Sequence, residues 1–309
     1  MSERYSYILT EADEIHHVRE LLKRRLHFSS RLLRNLKKQD GVFLDGKPVW
    51  MRDKGKAGQC LTVTMPEEVS HFDPEPIPVD VLYEDEDILV VNKQPGLVVH
   101  PTKGHPCHTL ANGIMQYMQD RGDSYKIRFV NRLDMDTSGI VLVGKNSHAQ
   151  DNLARQMAGE LGPGKGGSGG VEKIYYAIVK GIPEEEGGTI DLPIGKPVED
   201  QVRRAVIPDG SPSVTHYKVA ERYPRRGGGY SLLELKLETG RTHQIRVHLS
   251  YIGYPIVGDH LYGTDAPQWI ERQALHAGGL AFRHPASREP VSFHAPLPDD
   301  MNRLIEKLK

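Results

Sequence analysis

Residues 131–146 read NRLDMDTSGIVLVGKN, and the rest of the chain is best read outward from them. The first half is a polar, constrained turn carrying Arg132, Asp134, Asp136, Thr137 and Ser138. The second half, GIVLVGKN, is a short apolar run ended by turn residues and reads as a short buried strand. A carboxylate on such a turn serves as a nucleophile, as a base, or merely as a cap or a partner for Arg. The turn alone does not choose among them.

On the N-terminal side, VDVLYEDEDILVVNKQPGLVVHP reads as two strands about a turn near Asp85-Glu86-Asp87. Residues 108–120 are expected to be helical, with Leu110, Ile114 and Met118 on one face as core, and 147–158 is a second helix. Residues 159–170, GELGPGKGGSGG, read as a flexible loop. Its Gly159-x4-Gly164-Lys165 spacing mimics a phosphate-binding loop. Gly166 stands where a magnesium-binding hydroxyl is needed, and no strand precedes it.

On the C-terminal side come the strands EKIYYAIVKG, SVTHYKVAERY and YSLLELKLET, the last two joined by an RRGGG turn. In the first, Tyr175 shares a face with Ala177 and Val179, and Tyr176 shares the other with Ile174 and Ile178. Either tyrosine by itself reads as core. After Gly240 the period changes. Ile245, Leu249 and Ile252 line one helical face, and Gly253 is placed to end the helix. The elements predict an α+β fold, a large, mostly antiparallel mixed sheet flanked by helices.

The chain begins differently. Residues 15–38 carry eight Lys/Arg and one acid, Glu20, whereas residues 66–90 carry nine acids and no Lys/Arg. Val18, Leu21, Leu22 and Leu26, then Leu32, Leu33 and Leu36, mark the buried faces of two helices, the second capped by Ser29 or Ser30. Arg24, Arg25, Arg31, Arg34, Lys37 and Lys38 are left to project from the other sides, a surface suited to phosphates. Asp45-Gly46 between apolar residues predicts a tight hairpin, and QCLTVTM a further strand. Pro66, Pro74, Pro76 and Pro78 disfavour helix and strand, which divides the chain into 1–65, a Pro-rich acidic linker 66–78, and 79–309.

Length and composition agree with two globular units. The chain has 309 residues, 38% hydrophobic and 26% charged. Two cysteines, Cys60 and Cys107, exclude a disulfide scaffold and point to a reducing, cytoplasmic setting. There is no apolar run long enough for a membrane helix and no visible export signal. The net charge of −1 would argue against a nucleic-acid partner if charge were evenly spread, but it is a cancellation between the two stretches above. His100, His105, Cys107 and His108 lie close together in sequence. They lack the paired second segment of a structural zinc site, so no metal is expected.

Several segments together resemble one enzyme family. RLD-x-x-TSG before a buried strand resembles the signature of pseudouridine synthases of the RluA/RluD type. LYEDEDILVVNK, KIYYAIVKG, ETGRTHQIRVHLSYIGYPIVGDHLYG and LHAGGLAFRHP resemble that family's other elements in the family's order, over residues 79–297. Residues 12–65, through SSRLLRNLKKQDGVFLDGKPV, resemble an S-four-like RNA-binding domain, a small α/β module. The resemblance implies isomerisation of uridine in RNA to pseudouridine without a cofactor, with Asp134 as the essential carboxylate acting as a nucleophile or a base on the sugar. It implies that Arg246 pairs with Asp134, that Tyr175 stacks on the uracil and that Arg132 enters the stack vacated by the flipped base. The two-domain layout is similar to the members acting on large-subunit ribosomal RNA, with transfer RNA as the alternative and a monomer as the expected state. Outside the family, a non-catalytic RNA-binding factor and a hydrolase using Asp134 and Asp136 are the competing readings. Two departures stand out: Asn131 replaces the family's His, and Lys93-Gln94-Pro95-Gly96 displaces its proline by one.

Overall fold

The computed structural model describes residues 3–38, 40–65, 68–161, 170–197, 202–226, 228–263 and 269–309. Most of the predicted glycine-rich loop therefore lies outside the described residues. In the N-terminal part, strand β1 (Glu3–Ile8) precedes helices α1 (Val18–Arg24) and α2 (Ser30–Lys38). Strands β2 (Val42–Leu44), β3 (Lys47–Pro48) and β4 (Cys60–Thr64) follow. The strands form a sheet of order β1-β4-β2-β3. The predicted leucines close its core: Leu21, Leu22, Leu32, Leu33 and Leu36 pack with Val42, Leu61 and Val63. Asp45 and Gly46 both take positive φ, 48° and 74°, the two-residue turn whose twist matches paired strands. Strand β1 has no counterpart in the sequence reading. It pairs antiparallel with β4, Tyr5 opposite Val63 and Tyr7 opposite Leu61.

The larger part is built from β5 (Asp80–Glu84), β6 (Ile88–Lys93), helix α3 (Leu110–Arg121), β7 (Arg128–Phe129), β8 (Ser138–Gly144) and helix α4 (Ser147–Met157). It continues with β9 (Glu172–Lys180), β10 (Gly187–Asp191), β11 (Ile194–Gly195), β12 (Ala205–Val206), β13 (Val214–Arg225) and β14 (Gly228–Leu237). Helix α5 (Gln244–Tyr251), β15 (Leu275–Arg283), β16 (Pro290–His294) and helix α6 (Asp299–Leu308) complete it. The main sheet runs β10-β13-β14-β9-β15-β8-β6-β5, with β16 on β15 and β7 on β8. Its pairs are antiparallel except β15 with β8.

The continuous apolar runs of β6 and β8 follow from burial on both faces. Leu89, Val91, Val141 and Val143 join α3 in one core, while Ile88, Val90, Ile140 and Leu142 join Leu153 of α4 in another. A third core lies between β9, β13 and β14 and the helices α5 and α6, through Ile245, Leu249, Met301 and Leu304.

The prolines at 74, 76 and 78 keep the connector out of any ladder, yet it is packed. Ser70 Oγ accepts the Ile127 N–H at 2.8 Å, and the Asp73 carbonyl accepts Asn112 Nδ2 at 2.8 Å. Ile77 and Val79 lie against Gly113 of α3, where a Cβ would stand 3.0 Å from the Ile77 carbonyl. The N-terminal sheet also meets the larger part directly. The Tyr5 hydroxyl donates to Asp87, whose Oδ1 also accepts Asn146 Nδ2 at 2.7 Å. The Tyr5 ring packs edge-on against His148 at 5.0 Å and against Phe28 at 5.4 Å. Burial pushes the His148 imidazole down to about 4, so it sits in this junction uncharged. No helix among the described residues is long and apolar enough to cross a membrane.

Candidate active site

The turn before β8 is held from below and from behind. The Thr137 N–H donates to the Asp134 carbonyl at 3.1 Å, closing the turn. Lys93, at the end of β6 and 1% exposed, donates its Nζ to the carbonyls of Gln94 (2.9 Å), Leu97 (2.8 Å) and Met135 (2.8 Å). Burial pushes this ammonium down to about 7, against the pull of the Asp136 and Asp134 carboxylates. Arg272 donates Nη1 to the Asp136 carbonyl at 3.0 Å and grips Asp300 of α6 with Nε and Nη2, at 2.6 and 2.9 Å. The turn is thus tied to the C-terminal helix.

Gly139, at φ +113°, is where β8 meets β15 in the parallel register Ser138–His276 and Ala277–Gly139. A Cβ there would stand 2.3 Å from the Ala277 carbonyl, so the SG step of the motif is a packing requirement. Asn131 does not bond the turn. Its amide Nδ2 donates to the Ile140 carbonyl at 3.0 Å and its Oδ1 accepts the Leu142 N–H at 2.8 Å, adding a rung to the edge of β8.

Helix α5 aims Arg246 at Asp134. Ile245 and Leu249 sink into the core on either side of it, so the arginine is placed by packing. Its Nε and Nη2 form a fork on Asp259, 2.7 Å to Oδ2 and 2.8 Å to Oδ1, and its Nη1 donates to Asp134 Oδ2 at 3.0 Å. Asp259 is fully buried; burial pushes its carboxyl up, but the Arg246 contacts and the N–H groups of Leu261 and Tyr262 together hold it below the usual carboxylate range. Burial opposes the guanidinium charge, and the Asp259 and Asp134 carboxylates outweigh it, so Arg246 is held above its ordinary value. The guanidinium also lies 5.1 Å from the Tyr262 ring centre. The Asp134 side chain itself is 28% exposed, which leaves it open on one side.

His243 caps α5 in the left-handed region, at φ +59°, with Nε2 3.8 Å from Asp134 Oδ2 and Nδ1 2.9 Å from the Tyr262 hydroxyl. Burial pushes its pKa down, against the pull of Asp134. Tyr175 on β9 faces the same carboxylate: burial, with the Asp134 charge second, pushes its phenol up to about 12. Tyr176 turns the other way, onto Glu234 Oε2 at 3.4 Å and over Gly278. The two tyrosines, which the strand pattern alone leaves equivalent, are therefore in different surroundings.

Three sequence-predicted residues, Asp134, Arg246 and Tyr175, converge. Arg132, on the same turn, is exposed, as are Arg24, Arg31, Arg34, Lys37 and Lys38 on the N-terminal helices. Arg25 is exposed as well, but its guanidinium is engaged: its Nε donates to Asp13 Oδ1 at 2.9 Å, and Asp13 is fully buried. Asp136 lies near Lys93, and its carbonyl accepts Nη1 of Arg272 at 3.0 Å. Asp259, Tyr262 and His243 stand inside quoted motifs, but nothing in their spacing assigns them these contacts. Arg272 and Asp300 carried no signal. Cys107 and His108 meet Glu75, not His100 or His105, and Asp85, Asp87 and His284 form a second group whose donor atoms lie within 4.8 Å of one another. Neither group includes a residue of the Asp134 turn.

The chain is similar to known proteins. The model of a family described as RNA pseudouridylate synthase matches residues 87–251. The chain is 44% identical over 276 residues to an uncharacterised RNA pseudouridine synthase, YlyB, of Bacillus subtilis, covering 88% of this chain and 87% of that protein. It is 39% identical over 294 residues to the ribosomal large subunit pseudouridine synthase D of Xanthomonas campestris, covering 91% and 84%. Among solved structures, the human RNA pseudouridylate synthase domain containing 1 superposes with a TM-score of 0.57 at 27% identity, over 75% of this chain and 94% of that one.

Proposed function

Because the chain belongs to the RNA pseudouridylate synthase family, we propose that its substrate is uridine in large-subunit ribosomal RNA and that Asp134 is the carboxylate on which the isomerisation turns. The enzyme is an RNA pseudouridine synthase. The reaction breaks the C1′–N1 bond, turns the uracil and forms a C1′–C5 bond; C5 loses a proton and N1 gains one, so the reaction balances with no other reactant. In this reading the ionised Asp134 attacks C1′ or takes a proton from the sugar, and either route needs the carboxylate kept charged beside a nucleotide. Arg246 supplies the compensating charge at 3.0 Å and is itself fixed by Asp259. That held carboxylate, open on one side, is the observation that carries the proposal.

Tyr175 provides the aromatic face for the extruded uracil. Arg132, exposed beside Asp134, fills the gap the base leaves, offsetting part of the few kcal/mol that extrusion costs. Arg24, Arg31, Arg34, Lys37 and Lys38 hold the RNA by its phosphates; Arg25 contributes less because Asp13 occupies it. The ribosomal substrate is supported by relatives named as large-subunit synthases. The same reading has the protein acting as a monomer in the cytoplasm, where reducing conditions suit its two free cysteines.

The test is pseudouridine mapping of total RNA in cells carrying Asp134→Asn. Loss of modification at specific large-subunit uridines, with RNA binding by the purified variant unchanged, is expected. Persistence of every site would remove Asp134 from the chemistry, and loss at transfer RNA sites alone would change the substrate.

A further inference from the structure

The described contacts of the Asp134 carboxylate all fall on one oxygen. Arg246 Nη1 lies 3.0 Å from Oδ2 and His243 Nε2 lies 3.8 Å from the same atom. What His243 brings to that oxygen is decided on its other side. The Tyr262 hydroxyl accepts the backbone N–H of Arg204 at 2.6 Å and lies 2.9 Å from His243 Nδ1, the acceptor among the described residues that its own proton can reach. Burial pushes the Tyr262 phenol up, so that proton is present at neutral pH. An imidazole that accepts at Nδ1 carries its proton at Nε2. The groups facing the ring are Asp134, Arg246, Arg204, Asp259 and Tyr262, and their net effect with burial keeps it neutral.

We propose that His243 is a positioning residue for the isomerisation: a neutral imidazole, fixed by Tyr262 as the Nε2–H tautomer, that donates toward Asp134 Oδ2 and with Arg246 leaves Oδ1 as the oxygen that meets the sugar. The 3.8 Å separation is longer than a hydrogen bond and closes when substrate fills the site, as contacts at catalytic groups commonly do. A neutral donor there orients the carboxylate without adding a second full positive charge that would blunt its reactivity beyond what Arg246 already does. The left-handed backbone at His243, strained for a residue other than glycine, holds the ring at this angle. The inference rests on Asp134 being the reacting carboxylate.

Two measurements test it on the full chain. In protein with ¹⁵N-labelled histidine, the resonances assigned to His243 by their loss in His243→Gln should be those of a neutral ring protonated at Nε2, and Tyr262→Phe should disturb them. A ring protonated at Nδ1 overturns the proposal. Single-turnover rates on an RNA substrate give the second readout. His243→Asn tolerates the left-handed backbone but is too short to reach Asp134, and should slow the step about ten- to hundredfold, the worth of one hydrogen bond to a charged group, with RNA affinity unchanged. His243→Gln, whose amide can place an N–H near the Nε2 position, should recover most of that loss. Equal rates for wild type and His243→Asn, or equal losses for Asn and Gln, overturn it. Asp134→Asn assayed alongside separates this failure from that of the parent reading: an active Asp134→Asn sinks the role of Asp134, whereas an inactive Asp134→Asn with an unimpaired His243→Asn sinks only His243.

Discussion

Arg246 gives two of its donor nitrogens to Asp259 and one to Asp134, so the residue that pairs with the partly exposed Asp134 carboxylate is itself anchored by a second, fully buried one. This division of labour explains why arginine is needed. Lysine offers a point charge and cannot form the fork and still reach Asp134. Arg246→Lys is expected to lower the single-turnover rate by about a hundredfold or more while RNA affinity stays within a few fold. Arg246→Ala should in addition destabilise the fold by about 3–5 kcal/mol, because Asp259 is left buried without its partner. Stopped single-turnover assays and denaturant titrations check the two parts separately.

Gly139 makes a prediction about stability. Its φ of +113° and the 2.3 Å approach of an added Cβ to the Ala277 carbonyl leave no room for a side chain. Gly139→Ala should destabilise by about 3 kcal/mol or more, combining backbone strain with displacement of β15 from β8. For a chain of this size that is a fall of roughly 5 °C or more in Tm. A thermal melt within 2 °C or so of wild type would mean that the two strands can part without cost.

Tyr5 ties the N-terminal sheet to the larger part through Asp87. Tyr5→Phe keeps the ring contacts with Phe28 and His148 and removes the hydroxyl, which leaves Asp87 the Asn146 amide but not the Tyr5 donor. A loss of about 1–2 kcal/mol is expected. Hydrogen exchange should quicken in β1 and around residues 85–88 while α5 stays protected. Unchanged exchange in β1 would show that the aromatic contacts suffice.

Two buried carboxylates make stability depend on pH in the acid range. Asp13 and Asp259 are each fully buried; burial pushes their carboxyls up, but their hydrogen bonds, including those from Arg25 and Arg246, hold both below the usual carboxylate value in the folded chain. The unfolded chain therefore binds more protons in this range, and the stability these groups contribute is present above about pH 4 and lost as pH falls below it. Denaturant midpoints measured from pH 6 to pH 3 should drop most steeply below pH 4. A flat profile there would show that neither pair contributes.

Much of this protein is decided by its sequence alone. The unbroken apolar runs of β6 and β8 require strands covered on both faces, and Ile245 and Leu249 set four apart require a helix that presents its neighbour Arg246 at a fixed angle. Asp45-Gly46 fixes a hairpin because both residues can take positive φ. These are local rules, readable wherever period and turn chemistry agree. Strand β1 and helix α6 were not legible. The polar residues of ERYSYI mask its alternation, and its partner β4 lies more than fifty residues away in sequence. Nor could local period and turn chemistry say that Arg25 pairs with the buried Asp13, or that the proline-rich connector is strapped to α3.

Those points depend on which distant groups arrive next to which. Two adjacent residues on a strand differ only by the layer each one meets, and a carboxylate becomes a reactive group only when its cation, its buried anchor and its neighbouring donor are assembled from separate segments. Sequence supplied Asp134 and the helix that carries Arg246. Tertiary structure supplied the Asp259 that anchors the arginine, and brought Tyr262 to His243 and His243 to within 3.8 Å of Asp134.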